Sequence, residues 1–367
     1  MKMLCWFGGL FFLAITSCSQ SGPSHPIQST QHLEASVDSL LNSYITSESP
    51  GAAVLIVHEG TPLLKKGYGL RNLETRQPIT PATNMRMASV SKQFTALCAL
   101  TLVEKGLISL DDPVTNYLPY PVFKGISIEQ LMKHSSGLPD YYGHFDKNWP
   151  REKVVENADV LDWLKTNPEA EFEPGTKWEY SNTAYLMLAV IVEKVSGTEF
   201  SQYAKTQVFE RLGMNRTMYY NLARPVDIPE RSMCHGRTNG VYQGEDGFFM
   251  NGVMGDGAVY TNLEDYLRYD QVLRKDSILS KQVYDLIWKP GDVAVSDDVN
   301  YASGWFVDTK MEESSHSGGW VGTSTYVYRG LKNGITVAVF CNATNLLDPG
   351  KLAKQIRQMT ECYLAEQ

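Results

Sequence analysis

Strand-like sequence stands at both ends of this chain and helix-like sequence fills its middle, and that arrangement limits the fold more than any other feature. Near the start, "GAAVLIVHEGTPLLKKGYG" (51–69) reads as two strands around a turn near Gly60, because apolar and β-branched residues are bounded by turn formers. Near the end, "SGWFVDT", "TSTYVYRG" and "GITVAVFCN" are β-branched and aromatic runs between Gly or Asn, the pattern of strands. From Ser89 to about Trp288 the apolar period is mostly helical, with segments 89–105, 183–196 and 263–274, the first two stopped by Gly106 and Gly197. A first helix over 32–47 carries Leu33, Val37, Leu40, Leu41 and Tyr44 on one stripe, and a closing helix covers 350–364. The expected fold is α/β of the α+β type: an antiparallel sheet built from N- and C-terminal segments, flanked by helices, with a large mostly helical insertion. In one domain of 32–365, residues 32–88 and about 290–365 would form the α/β part and about 89–289 the helical part. A cleft is expected at their seam.

Residues 1–17 and the polar stretch from 18 to 31 stand apart from the fold. "MKMLCWFGGLFFLAITSC" has Lys2 and then an apolar run from Leu4 to Ile15, too short for a standing transmembrane helix. It resembles a bacterial lipoprotein signal cleaved before Cys18, with lipid on that thiol; a plain secretory signal is the alternative. Either places the mature chain outside the cytoplasm, and the lipoprotein form anchors it to a membrane of the cell envelope, periplasm-facing or at the surface. Residues 18–31 read as a polar tether. The net charge of −8, with no Lys/Arg run, argues against a nucleic-acid partner. Cys98, Cys234, Cys341 and Cys362 have apolar neighbours and are expected as buried free thiols. No Cys/His spacing suggests a metal site.

Three short motifs carry chemistry. In "MRMASVSKQFTALCAL" (85–100), Ser89 and Lys92 are three apart, so on a helix one amine can reach one hydroxyl. Serine is a poor nucleophile without a base beside it, and a helix N-terminus favours developing negative charge. About one such pair arises by chance in a chain of this length, and Ser89 as a cap with Lys92 as a surface charge would also satisfy the pattern. In "EPGTKWEYSNTAYLMLAVIVEKVSG" (173–197), Tyr180 offers a phenol that can move a proton, and Asn182 a carboxamide for a carbonyl and an amine. Asn182 as the cap of a helix beginning at Thr183 is the structural alternative. Tyr-x-Asn recurs at Tyr219–Asn221 and Tyr260–Asn262, but only the first opens from a loop onto a buried helix. In "SSHSGGWVGTSTYVY" (314–328), His316, Ser317 and Gly318 stand where the chain enters a strand, with glycines that permit close approach of a substrate backbone. His58-Glu59-Gly60 has the same form but lies in a hairpin turn.

Taken in order, Ser89-x-x-Lys92, Tyr180-Ser181-Asn182 and His316-Ser317-Gly318 resemble the serine β-lactamase and penicillin-binding-protein superfamily, in its class C-like branch. "LMKHSSGLPDY", "LGM" and "GDGAVYTNLEDY" share that likeness, which covers about residues 35–365. The resemblance implies a serine hydrolase working through an acyl-enzyme without a metal or organic cofactor. Ser89 would be acylated, Lys92 and Tyr180 would handle its proton with either as base, and Asn182 would orient the substrate amide. The backbone N–H groups of Ser89 and Gly319 would form the oxyanion hole, with His316, Ser317 and Gly318 binding substrate. Many relatives have lysine where His316 stands; histidine is mostly neutral at pH 7 and offers a hydrogen bond instead. That departure favours a D-amino-acid peptide, including a peptidoglycan-derived one, or a small ester over a β-lactam. A class C-type β-lactamase is the second reading, and a non-catalytic lipoprotein binding peptidoglycan or a partner is the third.

Overall fold

The computed structural model describes residues 30–167, 169–275 and 279–367. The leader, Cys18 and the tether through residue 29 lie outside the described residues. Helix α1 already runs over Thr30–Asn42, buries Leu33, Val37 and Leu41, and ends before Tyr44, which is exposed. The tether is therefore shorter, and the apolar stripe one turn shorter, than the sequence suggested.

Seven strands form one antiparallel sheet: β1 (Ala52–His58), β2 (Thr61–Tyr68), β3 (Val299–Tyr301), β4 (Phe306–Asp308), β5 (Glu313–Trp320), β6 (Thr323–Gly330) and β7 (Ile335–Cys341). Their order is β3-β4-β5-β6-β7-β1-β2. The two chain ends meet at the centre, where β1 pairs with β7 from Ala52↔Cys341 to His58↔Ile335. His58-Glu59-Gly60 is the β1–β2 turn, as expected. The central strands read as unbroken apolar runs because both faces are covered. Val54, Ile56, Val337 and Val339 pack with α1 and with helix α5 of Pro349–Ala365. The alternate residues, Leu55, Val57 and Phe340 among them, face the helical body.

That body is built on helices α2 (Lys92–Glu104) and α3 (Asn182–Ser196), with α4 (Leu263–Arg274) beside the sheet. Residues 92–102 of α2 are all buried, so α2 is a central helix, covered on every side. Gly197 ends α3 in the left-handed conformation, as a C-terminal glycine does. The region expected to be mostly helical also holds short ladders: Met85–Arg86 and Met218–Tyr219 each pair with Val259–Thr261, and His235–Thr238 pairs with Val241–Gly244. These strands are of two to four residues, too short for period 2 to be legible. Cys98, Cys234 and Cys341 are buried free thiols, whereas Cys362 is exposed on α5. No helix among the described residues is long and apolar enough to cross a membrane.

Asp270 of α4 fastens the body to the sheet. Its buried carboxylate accepts from Thr336 Oγ1 at 2.6 Å, Arg274 Nε at 2.8 Å and Arg329 Nε at 3.4 Å. Removing one partner from a buried ionic cluster strands the others. Asp270→Ala is expected to cost about 3–5 kcal/mol in denaturant unfolding, with Arg329 left uncompensated.

Candidate active site

Ser89 does not begin the α-helix proper. It stands in a 3₁₀ turn, Ala88–Ser91, that leads into α2 at Lys92. In such a turn residues three apart eclipse, and Lys92 Nζ lies 3.4 Å from Ser89 Oγ. Ala88 has φ of 47°, a left-handed conformation that costs a non-glycine residue energy and needs its surroundings to hold it. Those surroundings are visible. Met87 N donates to Val259 O at 2.8 Å, Thr325 Oγ1 of β6 donates to Met87 O at 2.9 Å, and Val259 N donates to Ser91 Oγ at 3.1 Å.

Lys92 is fully buried, and its ammonium meets three acceptors: Asp256 O at 2.7 Å, Asn182 Oδ1 at 2.9 Å and Ser89 Oγ. Three acceptors match the three hydrogens of an ammonium. A lysine so engaged must give up one proton before it can take that of Ser89. Its Nζ also lies 4.7 Å from the centre of the Tyr180 ring. The Tyr180 hydroxyl is buried and has no hydrogen-bond partner, so this phenol retains open capacity beside the serine.

Asn182 is the first residue of α3 and not its cap, as the structural alternative had it. Ser181 caps the helix by accepting from Ala184 N at 3.1 Å, which frees the Asn182 carboxamide for Lys92. By contrast Asn262, in a repeat of the Tyr-x-Asn triplet, spends its Oδ1 capping α4. Asn182 N is in turn held by Asp140 Oδ2 at 2.8 Å.

Sequence reasoning missed four residues here: Asp140, Asp256, Arg86 and His134. Asp256 accepts from Lys92 through its carbonyl, while its carboxyl accepts from Tyr141 Oη at 2.8 Å. Burial pushes that carboxyl above the usual range and the Lys92 charge opposes the push. Gly255 has φ of 114° and no room for a side chain, since a Cβ would sit 2.6 Å from Tyr185 O; this close seat on α3 sets the Asp256 carbonyl over Lys92. His134, also left-handed at φ 61°, grips the Tyr180 loop twice. Its Nδ1 accepts from Ser181 N at 3.1 Å and its carbonyl from Glu179 N at 2.9 Å, with its ring 4.3 Å from that of Tyr180. "LMKHSSGLPDY" and "GDGAVYTNLEDY" contain three of the four, but only as context, because two of the key contacts are made by backbone carbonyls.

His316 lies inside β5 rather than at its entrance, and it is buried. Its Nδ1 lies 2.6 Å from Ser317 O, which can only accept, so Nδ1 carries the proton and Nε2 accepts from Tyr301 Oη at 2.9 Å. Burial, with the Lys92 charge, pushes its pKa down to about 3. The ring is neutral as expected. Both nitrogens are engaged, however, so it has no hydrogen bond left for a substrate; it holds Tyr301. Ser317 is exposed and Gly318 buried. Gly318 packs against the serine turn, where a Cβ would lie 2.3 Å from Thr325 Oγ1 and 2.5 Å from Met87 O, whereas Gly319 has open space. Close approach of a substrate therefore falls to Gly319, not Gly318. Ser89, Tyr180, Asn182, Gly319, Trp320 and Arg86 line one cleft of about 240 Å³. Tyr142 and Phe248 pack on Trp320, with ring centres 5.6 Å and 5.7 Å away. Among the described residues, no group of three His, Cys, Asp or Glu is placed to hold a metal.

Comparison with known proteins gives a consistent likeness. The family model described as Beta-lactamase matches residues 33–359. Penicillin-binding protein 4* of Bacillus subtilis is 34% identical over 306 residues, covering 79% of this chain and 67% of that protein. N-acetylmuramyl-L-alanine amidase of the same species is 25% identical over 366 residues, covering 85% of this chain and 82% of its own length. The octameric penicillin-binding protein homologue from Pyrococcus abyssi superposes with a TM-score of 0.78 at 26% identity, over 92% of this chain and 77% of that one.

Two outcomes follow from the geometry. Gly318→Ala is expected to lower stability by about 1–3 kcal/mol through overpacking, while Gly319→Ala stays within about 0.5 kcal/mol; thermal unfolding of the two variants checks both. The second concerns pH. Burial holds His134, His235 and His316 below the histidine range in the folded chain, whereas the unfolded chain protonates them near pH 6.5. Their contribution is intact above pH 6.5 and is lost on acidification, by up to about 1.4 kcal/mol per pH unit for each. Asp256 works in the opposite sense. Urea unfolding from pH 7.5 to 5 should show the decline, and His316→Asn should make it shallower, with His134 and His235 still contributing.

Proposed function

Because the chain belongs to the Beta-lactamase family, as a serine hydrolase related to penicillin-binding proteins, we propose that Ser89 is its acylated nucleophile and that it cleaves D-amino-acid peptides or small esters in the cell envelope. The observation that carries this reading is the convergence of Ser89 Oγ and Asn182 Oδ1 on Lys92 Nζ, beneath the Tyr180 ring. These groups come from segments 90 residues apart.

In the proposed reaction Ser89 Oγ attacks an amide or ester carbonyl. Its proton reaches the leaving group either through Tyr180, whose hydroxyl releases its own proton as it takes that of the serine, or through Lys92 once that amine has given up one proton. The N–H groups of Ser89 and Gly319 stabilise the oxyanion, a contribution of about 3–4 kcal/mol per donor in such sites. Asn182 Nδ2, on the far side of the carboxamide from Lys92, holds the substrate amide. Water then releases the acyl group. Three chain segments fix Lys92, so little reorganisation accompanies the chemistry.

A peptide or ester is favoured over a β-lactam because the His316 ring presents neither charge nor a free hydrogen bond at the strand. Likeness to an N-acetylmuramyl-L-alanine amidase supports a substrate from the cell wall. The class C-like branch, the single domain of residues 32–365 with its two parts, and the lipid anchor on Cys18 belong to the same proposal. Loss of palmitate labelling in Cys18→Ala tests the anchor.

Ser89→Ala is expected to abolish labelling by a fluorophosphonate and a fluorescent penicillin and to cut turnover by about 10⁴-fold or more. Persistence of both labels in that variant would overturn the nucleophile assignment. D-Ala-D-Ala peptides, D-aminoacyl anilides and p-nitrophenyl esters are expected to outrun nitrocefin. Faster nitrocefin turnover would make the protein a β-lactamase, and no reaction with any acyl donor would make it a binding protein.

A further inference from the structure

Arg86 is 5% exposed, and its Nε is buried without a hydrogen-bond partner. A buried guanidinium ordinarily has a carboxylate beside it, and five other partly or deeply buried arginines of this protein do. Arg71 pairs with Glu230, Arg231 with Asp246, Arg274 and Arg329 with Asp270, and Arg357 with Glu313. Among the described residues, no carboxylate lies within the 4.0 Å of an ion pair from Arg86. Asp256, on the same cleft wall, gives its carboxyl to Tyr141 instead. The Arg86 guanidinium rests beside two rings, Tyr260 and Trp320, each with its centre 5.9 Å away. Arg231 lies 5.1 Å from the same Tyr260 ring, but Asp246 offsets its charge.

The uncompensated cation borders the cleft, three residues before Ser89, with Trp320 opposite on β5. The main chain fixes it there: Arg86 pairs with Tyr260 in the short ladder, and its carbonyl accepts from Thr323 Oγ1 at 3.3 Å. We propose that Arg86 is the anion receptor of this cleft, taking a carboxylate of the acyl donor bound over Ser89. This positive charge stands on the short Met85–Arg86 strand, apart from the β5 position where His316 replaces the lysine of many relatives. A guanidinium suits this role, since its fork binds carboxylate through two parallel hydrogen bonds. The Trp320 ring beside the guanidinium would also strengthen the pair by excluding water. The proposal rests on Ser89 being the nucleophile and adds the substrate class: donors with a free carboxylate, on either the acyl or the leaving-group side.

Matched esters test it. p-Nitrophenyl hemisuccinate carries the carboxylate on the acyl side, 3-carboxyphenyl acetate carries it on the leaving group, and p-nitrophenyl acetate and phenyl acetate are the neutral references. The wild-type protein is expected to prefer one carboxylate ester over its neutral match by about tenfold or more in kcat/KM, chiefly through KM, and to lose that preference in 1 M salt. In Arg86→Gln the ratio between the two esters should fall to near one, with Arg86→Lys keeping part of it. A ratio unchanged in Arg86→Gln, or no preference in the wild-type protein for either carboxylate ester, overturns the proposal. An equal fall for charged and neutral esters would make Arg86 a packing residue and overturn it too. If Arg86→Gln does not fold, the wild-type preference and its salt dependence decide. If the wild-type protein hydrolyses no ester, line broadening of phenylacetate against phenylacetamide by NMR still reads the receptor. Selective broadening of the acid, lost in Arg86→Gln and partly kept in Arg86→Lys, sustains it, and equal broadening overturns it. Hydrolysis that survives Ser89→Ala would instead strike the nucleophile assignment, a separate failure.

Discussion

A buried ammonium must find acceptors for all three of its hydrogens or forfeit the folding energy that burial otherwise provides. Lys92 meets that demand with Ser89 Oγ, Asn182 Oδ1 and Asp256 O. Each acceptor belongs to a different segment of chain, so satisfying one charge draws together the serine turn, the start of α3 and the glycine-rich bend at 255–257. The rest of the cleft is arranged around that demand. Gly255 gives the bend its close seat on α3, Ser181 takes over the cap so that Asn182 stays free, and Asp140 steadies the Asn182 backbone.

The serine turn has a second clamp from the sheet. Ala88 is held left-handed while Thr325 reaches Met87 from β6 and Gly318 makes room on β5. Strain of this kind persists only where neighbours over-determine it. It explains why adjacent glycines do different work: Gly318 serves packing behind the turn, and Gly319 leaves space in front of it. His316, one step further back along the same face of the strand, is likewise drawn inward, to Tyr301.

The antiparallel sheet from both chain ends, the central helix behind Ser89, and the grouping of Ser89, Lys92 and Asn182 were all readable in the sequence. The sheet and helix follow from apolar periods and the Ser89–Lys92 pair from its three-residue spacing, whereas Asn182, 90 residues away, joined them only through the resemblance carried by the three motifs in order. What escaped depends on other things. Asp256 and His134 act partly through their carbonyls, which every residue has. Arg86 stands only three residues before Ser89, yet nothing in "MRMAS" separates an arginine with a carboxylate partner from one without. The inward turn of His316 follows from Tyr301, and Tyr301 reaches it only once β3, β4 and β5 are aligned. The short strands at 218–219 and 259–261 form because they edge the serine turn, not because their residues insist on it.

Helix α1 packs with α5 on one face of the sheet, while the cleft lies between the helical body on the other face and strand β5. The chain ahead of Thr30 is therefore joined to the molecule's back. Anything that fastens the protein by that end, whether a surface, a fusion or a bead, takes hold across the sheet from the helix that carries Lys92.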